Sequence, residues 1–355
     1  MAKLTISEAR VKPVDLMHAT RQLSAFIRAG IPVFEAVTEL ADEAASKPLR
    51  RVLKAMADDL RAGSTLTDSV LRHPKDFPNY YPGILNAAEI TGRLDLVLDQ
   101  LATYIERDIE ARRKIKSVMT YPVIIAIMAV GTVVVLTAFV LPQFTSFFSD
   151  MKVELPAATR ALMAATAFLQ AWWWLIVIGF IVLVVAYKFG MRRTGFRRVR
   201  DRIVLRLPVI GPTVRSAAIE RFTRIMASLV SAGISLPEAM AVSAASLRNL
   251  VFEDALAVAR HDMIAGSGLA GPITATGLFP GMANQMIRVG EETGTLDTQL
   301  EVAADYYATE LDYKINKLST VFEPAMILIM GGIVGFVAIA LVSAMYGVFQ
   351  AGNLS

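Results

Sequence analysis

The chain contains no cysteine and only three histidines among its 355 residues. Without cysteine it forms neither disulfides nor thiolate metal sites. His18, His73 and His261 are scattered along the sequence, so they predict neither a metal site nor a catalytic base. Motifs of the forms G-x-x-x-x-G-K-[ST], G-x-S-x-G and H-E-x-x-H are also missing. We therefore expect a protein that is not an enzyme and that holds no cofactor and no metal.

Charged residues are scarce as well. They make up 19% of the chain against 54% hydrophobic residues, and the mean hydropathy is +0.49, a balance typical of membrane proteins. Three runs lack any charge, namely Pro122 to Leu141, Trp172 to Tyr187 and Pro324 to Phe349. The first and third are long enough to cross about 30 Å of hydrocarbon, and the second is long enough with its flanks. The sequence predicts three transmembrane helices.

Basic residues beside these runs predict the orientation of the chain. Four of them, between Arg112 and Lys116, precede the first run, and eight lie between Lys188 and Arg206, after the second. The segment 142–171 between the two runs holds only two. By the positive-inside rule the N-terminus is inside and the C-terminus outside. No apolar core precedes residue 14, so we expect no signal peptide and a multi-pass protein of the cytoplasmic (inner) membrane.

The formal net charge of +4 does not indicate nucleic-acid binding, because much of the basic excess lies beside the predicted membrane. Residues 188–206 contain eight basic residues and a single acidic one, Asp201. This excess of positive charge favours contact with anionic lipid. Residues 207–323 carry eight basic and 13 acidic residues. That acidic segment favours a basic protein partner.

The two long polar segments of the chain repeat each other. The sequence EITGRLD from Glu89 to Asp95 returns as EETGTLD from Glu291 to Asp297, 202 residues later. The tripeptide AGI at 29–31 returns at 232–234, and Phe-Pro at 77–78 returns at 279–280. In both copies a proline follows the motif threonine by 31 residues and opens an apolar run. Because several motifs recur in one order at an offset of 202 or 203 residues, we interpret them as a duplicated module.

Both copies predict helices. Apolar residues between Ile219 and Val230 follow the spacing of one helical face, and Gly233 ends that helix before Pro237 begins another. Alternating strand patterns are missing. We predict an all-α polytopic membrane protein with two repeated cytoplasmic helical bundles, each of six short helices, and three transmembrane helices.

The predicted domain boundaries follow from these signals. In chain order they are a first cytoplasmic module (1–120), a first transmembrane helix (121–141), an outside or periplasmic loop (142–171), a second transmembrane helix (172–189), a basic cytoplasmic linker (190–215), the second module (216–323), a third transmembrane helix (324–349) and an outside tail (350–355).

Taken together, several motifs resemble those of one known family. They are Arg21-Gln22-Leu23 followed by Ala29-Gly30-Ile31-Pro32, the paired Phe-Pro and Glu-x-Thr-Gly-x-Leu-Asp motifs, Tyr121-Pro122, Glu323-Pro324 and Pro142-Gln143-Phe144. From 16 to 349 the chain resembles the type II secretion F family, the inner-membrane platform proteins of type IV pilus and type II secretion machines. One departure is Ala88-Glu89, where the family usually has Gly-Glu, as Gly290-Glu291 does in the second copy.

The resemblance implies a function. A platform protein of this family couples a cytoplasmic hexameric assembly or secretion ATPase to the assembly of pilin or pseudopilin subunits into a fibre. The implied partners are that ATPase, the pilin or pseudopilin, other inner-membrane platform proteins, further copies of the chain in a homo-oligomer, and the lipid bilayer. Type IV pilus biogenesis is the first interpretation and type II protein secretion the alternative. A membrane transporter or receptor subunit is more remote, because the predicted spans hold no ionisable residue.

The repeated motif is the first candidate site. Its residues are Glu89, Thr91 and Gly92 in the first copy and Glu291, Thr293 and Gly294 in the second. The simpler interpretation is a helix that stops at the glycine, with Asp95 and Asp297 in the first turn of the next helix. The alternative is that the glutamates bind a partner or a cation.

A second candidate site lies further along the second copy. Between Glu291 and Asp312 the chain carries seven acidic residues and no basic one. Glu301 and Asp305 are one helical turn apart and share a face. We expect either a solvated face or a docking surface for the ATPase, in which case reversing both charges weakens binding without affecting stability.

A third candidate is the pair Gly331 and Gly335 in the third predicted span, which form G-x-x-x-G. Small residues at this spacing allow close helix approach. They predict packing against the other spans of the chain or, alternatively, self-association or partner docking.

Overall fold

The computed structural model describes residues 9–135, 157–191, 193–208 and 210–352. Throughout these ranges the secondary structure is helical and no β-strand occurs. The all-α fold class predicted from the sequence is confirmed.

The first half of the described chain contains six helices. They are α1 (Pro13–Arg28), α2 (Val33–Glu43), α3 (Lys47–Arg61), α4 (Leu66–Leu71), α5 (Tyr81–Thr91) and α6 (Leu94–Val135). The described residues from 157 onward form eight more helices: α7 (Ala157–Gly190), α8 (Thr194–Arg206), α9 (Ile210–Ser231), α10 (Leu236–Ser246), α11 (Leu250–Asp262), α12 (Ala270–Ala275), α13 (Gly281–Thr293) and α14 (Leu296–Gly352). A π-helical turn, Met263–Ser267, joins α11 to α12.

Helices α9 to α14 follow α1 to α6 at the offset of the sequence repeat. An offset of 203 carries α2 from Val33–Glu43 onto α10 at Leu236–Ser246. An offset of 202 carries the end of α5 at Thr91 onto the end of α13 at Thr293. We call residues 13–114 the first module and residues 210–314 the second module.

Local sequence explains how these helices begin, end and pack. In α3, Leu49, Val52, Leu53 and Met56 are all buried, as expected for apolar residues at i, i+3, i+4 and i+7. The turn after α1 is closed by the Ile31 amide, which donates to the Phe26 carbonyl at 3.0 Å, with Gly30 at φ 85°. This is the Schellman pattern, which needs a left-handed residue and so favours glycine.

The same turn occurs in the second module. The Ile234 amide donates to the Leu229 carbonyl at 3.0 Å, and Gly233 has φ 81°. The repeated AGI tripeptide therefore encodes one repeated helix ending.

The chain divides into two compact units. The first consists of Met1–Lys114 and Arg198–Lys314 and contains both modules, and the second consists of Ile115–Arg197 and Ile315–Ser355. Within the first unit one buried apolar cluster includes Leu85 and Leu101 of the first module together with Phe222 and Leu256 of the second. The modules of this unit therefore share a continuous core, which the sequence did not predict.

The three transmembrane helices stay a prediction. Among the residues with described positions, no helix has both the length and the apolar character of a membrane span. Residues 136–141 of the first predicted span, residues 142–156 of the predicted outside loop and residues 353–355 lie outside the described residues.

Candidate functional site: the repeated glutamate turns and the interface between the modules

The glutamate of the first repeated motif binds backbone amides within its own module. The carboxylate of Glu89, near the end of α5, accepts hydrogen bonds from the amides of Leu66 at 2.7 Å and Thr67 at 3.0 Å. These amides begin α4, where no intrahelical carbonyl is available to them. A carboxylate there satisfies two unpaired donors and carries a charge that suits the positive helix terminus.

Glu291 makes the equivalent contacts in the second module. Its carboxylate accepts from the amides of Leu269 and Ala270, the latter at 2.8 Å. A Cβ added to Gly268 would lie only 2.6 Å from Glu291 Oε1, so glycine at this position makes room for the carboxylate. In the first module the equivalent residue is Thr65, whose own side chain accepts from the Asp68 amide.

The other motif residues end the helix. The hydroxyls of Thr91 and Thr293 donate to carbonyls one turn back, Ala87 at 3.0 Å and Val289 at 2.7 Å. Gly92 and Gly294 follow in the left-handed conformation, with φ 70° and 71°. The interpretation of the motif as a helix stop is thus confirmed, and Asp95 and Asp297 lie in the first turns of α6 and α14.

These contacts give both motif glutamates a structural role. Each carboxylate joins the end of one helix to the start of a short helix about 22 residues earlier. Within the described residues, no group of three or more histidine or acidic side chains is arranged to hold a metal ion. A role of the motif in partner binding stays a prediction.

Asp108 of α6 is the centre of the polar contacts between the modules. It accepts from Arg112 of its own helix and from Arg221 of the second module, each at 2.9 Å, and Arg248 lies 3.9 Å away. Arg221 and Asp108 are 19% and 17% exposed. Arg221 also lies over the ring of Tyr104, 5.7 Å from its centroid. This half-buried pair joins α9 to α6.

Buried tyrosines line the same region. Tyr104 contacts Tyr80 edge to face, with ring centroids 4.6 Å apart. Burial raises the pKa of Tyr104 and of Tyr80, so both stay neutral at physiological pH. Burial also raises the pKa of Tyr81 to about 12, and its hydroxyl lies 3.0 Å from that of Thr20.

A second ion-pair cluster joins α14 to both modules. The Asp305 carboxylate accepts from Arg224 of α9 at 3.0 Å and from Arg107 of α6 at 3.4 Å. Burial works against the charged form, but the hydrogen bond and charge of Arg224, with those of Arg107, hold the pKa of Asp305 below its usual range. Lys114 and Asp312 pair further along the same two helices, 2.9 Å apart.

These contacts correct one expectation about the acidic stretch. Asp305 is 61% exposed, yet its carboxylate lies between two arginines, one from each module. Reversing this charge would place three cations together, so at Asp305 we now expect the reversal to lower stability. No sequence motif signals this contact, because Arg107 lies 198 residues away. The role of Asp305 in docking the ATPase stays a prediction.

Glu301 has a different setting one turn earlier. It borders a polar groove of about 200 Å³ between the modules. The groove is also lined by Asp99, Arg107, Arg224 and Asp297. Glu301 is therefore the acidic residue of the pair that remains available at a surface formed by both modules.

A profile of the family described as "Type II secretion system (T2SS), protein F" matches the chain at residues 19–142 and again at residues 222–344. The chain belongs to this family. The family profile thus matches the chain twice, once in each copy of the internal repeat.

Curated relatives of the family cover almost all of the chain. It is 35% identical to "Type IV pilus assembly protein PilC" of Myxococcus xanthus over 92% of the chain and 78% of the relative. It is 36% identical to the protein of the same name in Thermus thermophilus, over 91% and 80%. It is 32% identical to "Type II secretion system protein F" of Pseudomonas aeruginosa, over 92% and 81%.

The glycine pair of the third predicted span lies in α14 of this T2SS protein F family member. Among the described residues, a Cβ built on Gly331 or Gly335 would meet no atom within 4 Å. Close packing of these glycines against the chain's other spans therefore stays a prediction, as does self-association.

Sequence reasoning missed three residues whose side chains make polar contacts between distant segments. Asp108 and Arg221 form a half-buried pair between the modules, and no motif marked them. Asp201 lies in the segment expected to be a basic linker, but it is 3% exposed and accepts from the Leu250 amide at 2.9 Å. Its isolation among eight basic residues was the available signal.

Proposed function

We propose that this chain is an inner-membrane platform protein of a type IV pilus machine, which couples a cytoplasmic ATPase to the assembly of pilin into a fibre. The observation that carries the proposal is the family match in both halves. Similarity to relatives named as pilus assembly proteins, over more than nine-tenths of the chain, supports the pilus over the secretion machine. The 32% identity to a type II secretion protein F keeps secretion as the second candidate.

The contacts within the first unit suit a platform. The two modules share one apolar cluster and are joined by the ion pairs of Asp108 and Asp305. A displacement of one module would therefore move the other with it, instead of being absorbed at a flexible joint. The three predicted spans would carry that displacement into the bilayer.

The test is deletion of the gene in its source bacterium, followed by complementation. For a pilus platform we expect surface fibres to disappear while the pilin itself remains in the inner membrane. Complementation with the intact gene restores the fibres. Normal piliation with loss of protein secretion into the medium would instead establish the second candidate.

The ATPase contact is tested at Glu301. We propose that the polar groove between the modules, with Glu301 at its border, contacts a basic surface of the motor. Complementary charge would set the rate and orientation of association. Glu301→Lys should weaken capture of the purified cognate ATPase without lowering the unfolding temperature, because it breaks no ion pair described above.

Two further variants control this experiment. Asp305→Lys should lower the unfolding temperature, because it disrupts the cluster with Arg224 and Arg107. Glu292→Lys removes an exposed acid of α13 and should leave ATPase capture unchanged. Equal capture by the Glu301→Lys variant and the unmodified chain would refute the docking role of this groove.

A further inference from the structure

One face of helix α8 contacts the second module. Arg198 donates to Asp254 through Nε at 2.7 Å and through Nη2 at 3.1 Å. Asp201, almost fully buried, accepts from the Leu250 amide at the start of α11. Leu205 packs against the apolar cluster. Because 198, 201 and 205 recur every three or four residues, these contacts occupy one side of the helix.

The other side of α8 is apolar and exposed. Val199 and Ile203 are 56% and 54% exposed, and Leu207, just beyond the helix end, is 40% exposed. Their four-residue spacing places them in a row. Arg202 and Arg206 are also exposed and lie in the same stretch of α8. An aliphatic row beside arginines is the pattern of helices that lie in the headgroup region of a membrane.

The charge of the segment 188–206 indicates what binds to the exposed face of α8. From Lys188 to Arg206 the chain carries eight basic residues and one acidic residue, and that acid is turned inward against α11. A second copy of the chain laid on this face would bring two strongly cationic helices together, which like-charge repulsion opposes. An anionic lipid surface supplies both the hydrocarbon for the aliphatic row and the phosphates for the arginines.

We propose that the outer face of α8, formed by Val199, Ile203 and Leu207 with Arg202 and Arg206, is a binding surface for anionic lipid headgroups. Asp201 and Arg198, on the inner face, tie this surface to the second module. The module is thereby held at the headgroup level of the bilayer. The inference rests on the membrane location in the proposed function.

Labelling of single cysteines tests this surface, because the chain has no native cysteine. Val199→Cys and Ile203→Cys are each labelled with an environment-sensitive fluorophore in the full-length protein. Val258→Cys in α11 is the matched control, since it is an exposed valine outside the basic segment. Each protein is reconstituted into phosphatidylcholine vesicles with and without phosphatidylglycerol, and vesicle flotation is measured before fluorescence.

For a lipid surface we expect labels at 199 and 203 to be quenched several-fold more by a nitroxide lipid than the label at 258, and several-fold less by aqueous iodide. Phosphatidylglycerol should enhance the difference, and Arg202→Gln with Arg206→Gln should reduce it. Iodide quenching equal to that at 258 would overturn the inference, as would protection from both quenchers, which indicates protein on this face. Failure of the chain to float with the vesicles would instead overturn the proposed membrane location and the lipid role with it.

Discussion

Arg221 of the second module donates to Asp108 of the first at 2.9 Å, and both side chains are less than one-fifth exposed. The two residues are 113 positions apart in the chain and lie on α6, the last helix of the first module, and α9, the first helix of the second. Breaking this half-buried pair is costly, because Arg221 loses the carboxylate to which it donates or Asp108 keeps only Arg112 as a close donor.

The Arg221 pair makes a first prediction. Arg221→Ala and Asp108→Asn should each lower the free energy of unfolding by about 1 to 3 kcal/mol. The measurement is denaturant unfolding of the purified chain in detergent, followed by circular dichroism, with the double variant closing a thermodynamic cycle. Arg28→Ala is the control, because its pair with Asp99 is 3.7 Å long and about half exposed; its cost should stay below about 1 kcal/mol. Additive effects of the two interface variants would show that the pair is not coupled.

The repeated glutamates make a second prediction. Glu89→Ala and Glu291→Ala should each destabilise the fold by about 0.5 to 2 kcal/mol, since each leaves two helix-start amides without their acceptor. The glutamine variants should lose less, because one acceptor oxygen remains. Thermal unfolding checks this, with Glu292→Ala at the exposed neighbouring position as control. If the alanine variants unfold like the control, the carboxylate contacts contribute nothing measurable.

The third prediction concerns Gly290, and the equivalent position in the first module provides its control. A Cβ on Gly290 would lie 2.9 Å from Leu296 Cα and 3.0 Å from Gln299 Cβ, whereas the first module carries the buried Ala88 at the equivalent position. Gly290→Ala should therefore destabilise by about 1 to 3 kcal/mol through overpacking. Ala88→Gly should cost about 1 kcal/mol through lower helix propensity. A rise in unfolding temperature for Gly290→Ala would show that α13 and α14 can separate without penalty.

Asp305 makes a fourth prediction, on pH. Its pKa in the folded chain lies below its usual range, because Arg224 and Arg107 outweigh the effect of burial. Such a carboxylate adds stability above the unfolded pKa of about 3.9, and this contribution is lost as the pH falls through the lower folded value. Asp305→Asn should therefore unfold earlier than the unmodified chain at pH 7, and the difference should shrink below about pH 4. A difference in unfolding temperature that is constant from pH 7 to pH 3 would contradict the linkage; Asp262→Asn, at an exposed acid, is the control.

The predicted topology gives a fifth prediction. Cysteines placed at Val153 and Asn353, both outside the described residues, should react with a membrane-impermeant maleimide in intact cells, since both are predicted to lie outside. A cysteine at Arg113 should react only after the membrane is permeabilised. Because Arg198 pairs with Asp254, Arg113 is the better inside position for this test. Labelling of Arg113→Cys in intact cells would reverse the predicted orientation.

Local sequence was sufficient for the helices and their ends. The AGI turns and the Glu-x-Thr-Gly stops depend on a left-handed glycine and on carbonyls a few residues away, so one chain segment contains everything the structure needs there. Because the two halves repeat each other, each helix ending assigned in one half also applied to the other. The same locality explains why the partner of Glu89 was missed: the Leu66 amide is 23 residues away, and no rule of spacing connects them.

The sequence by itself therefore determined the all-α class, the helix endings at the repeated glycine motifs and the family, because these follow from periodicity, capping residues and motif order. Only the tertiary structure decided which charges are used for packing. Arg107 and Asp305 each look like a solvated charge on its own helix, and they become partners only when α6 and α14 lie side by side. Asp201 likewise changes from a lone acid in a basic linker to a buried helix cap once α8 docks on α11. Contacts between distant segments depend on how whole helices pack, and that is decided by the summed burial of the apolar cluster rather than by any single motif.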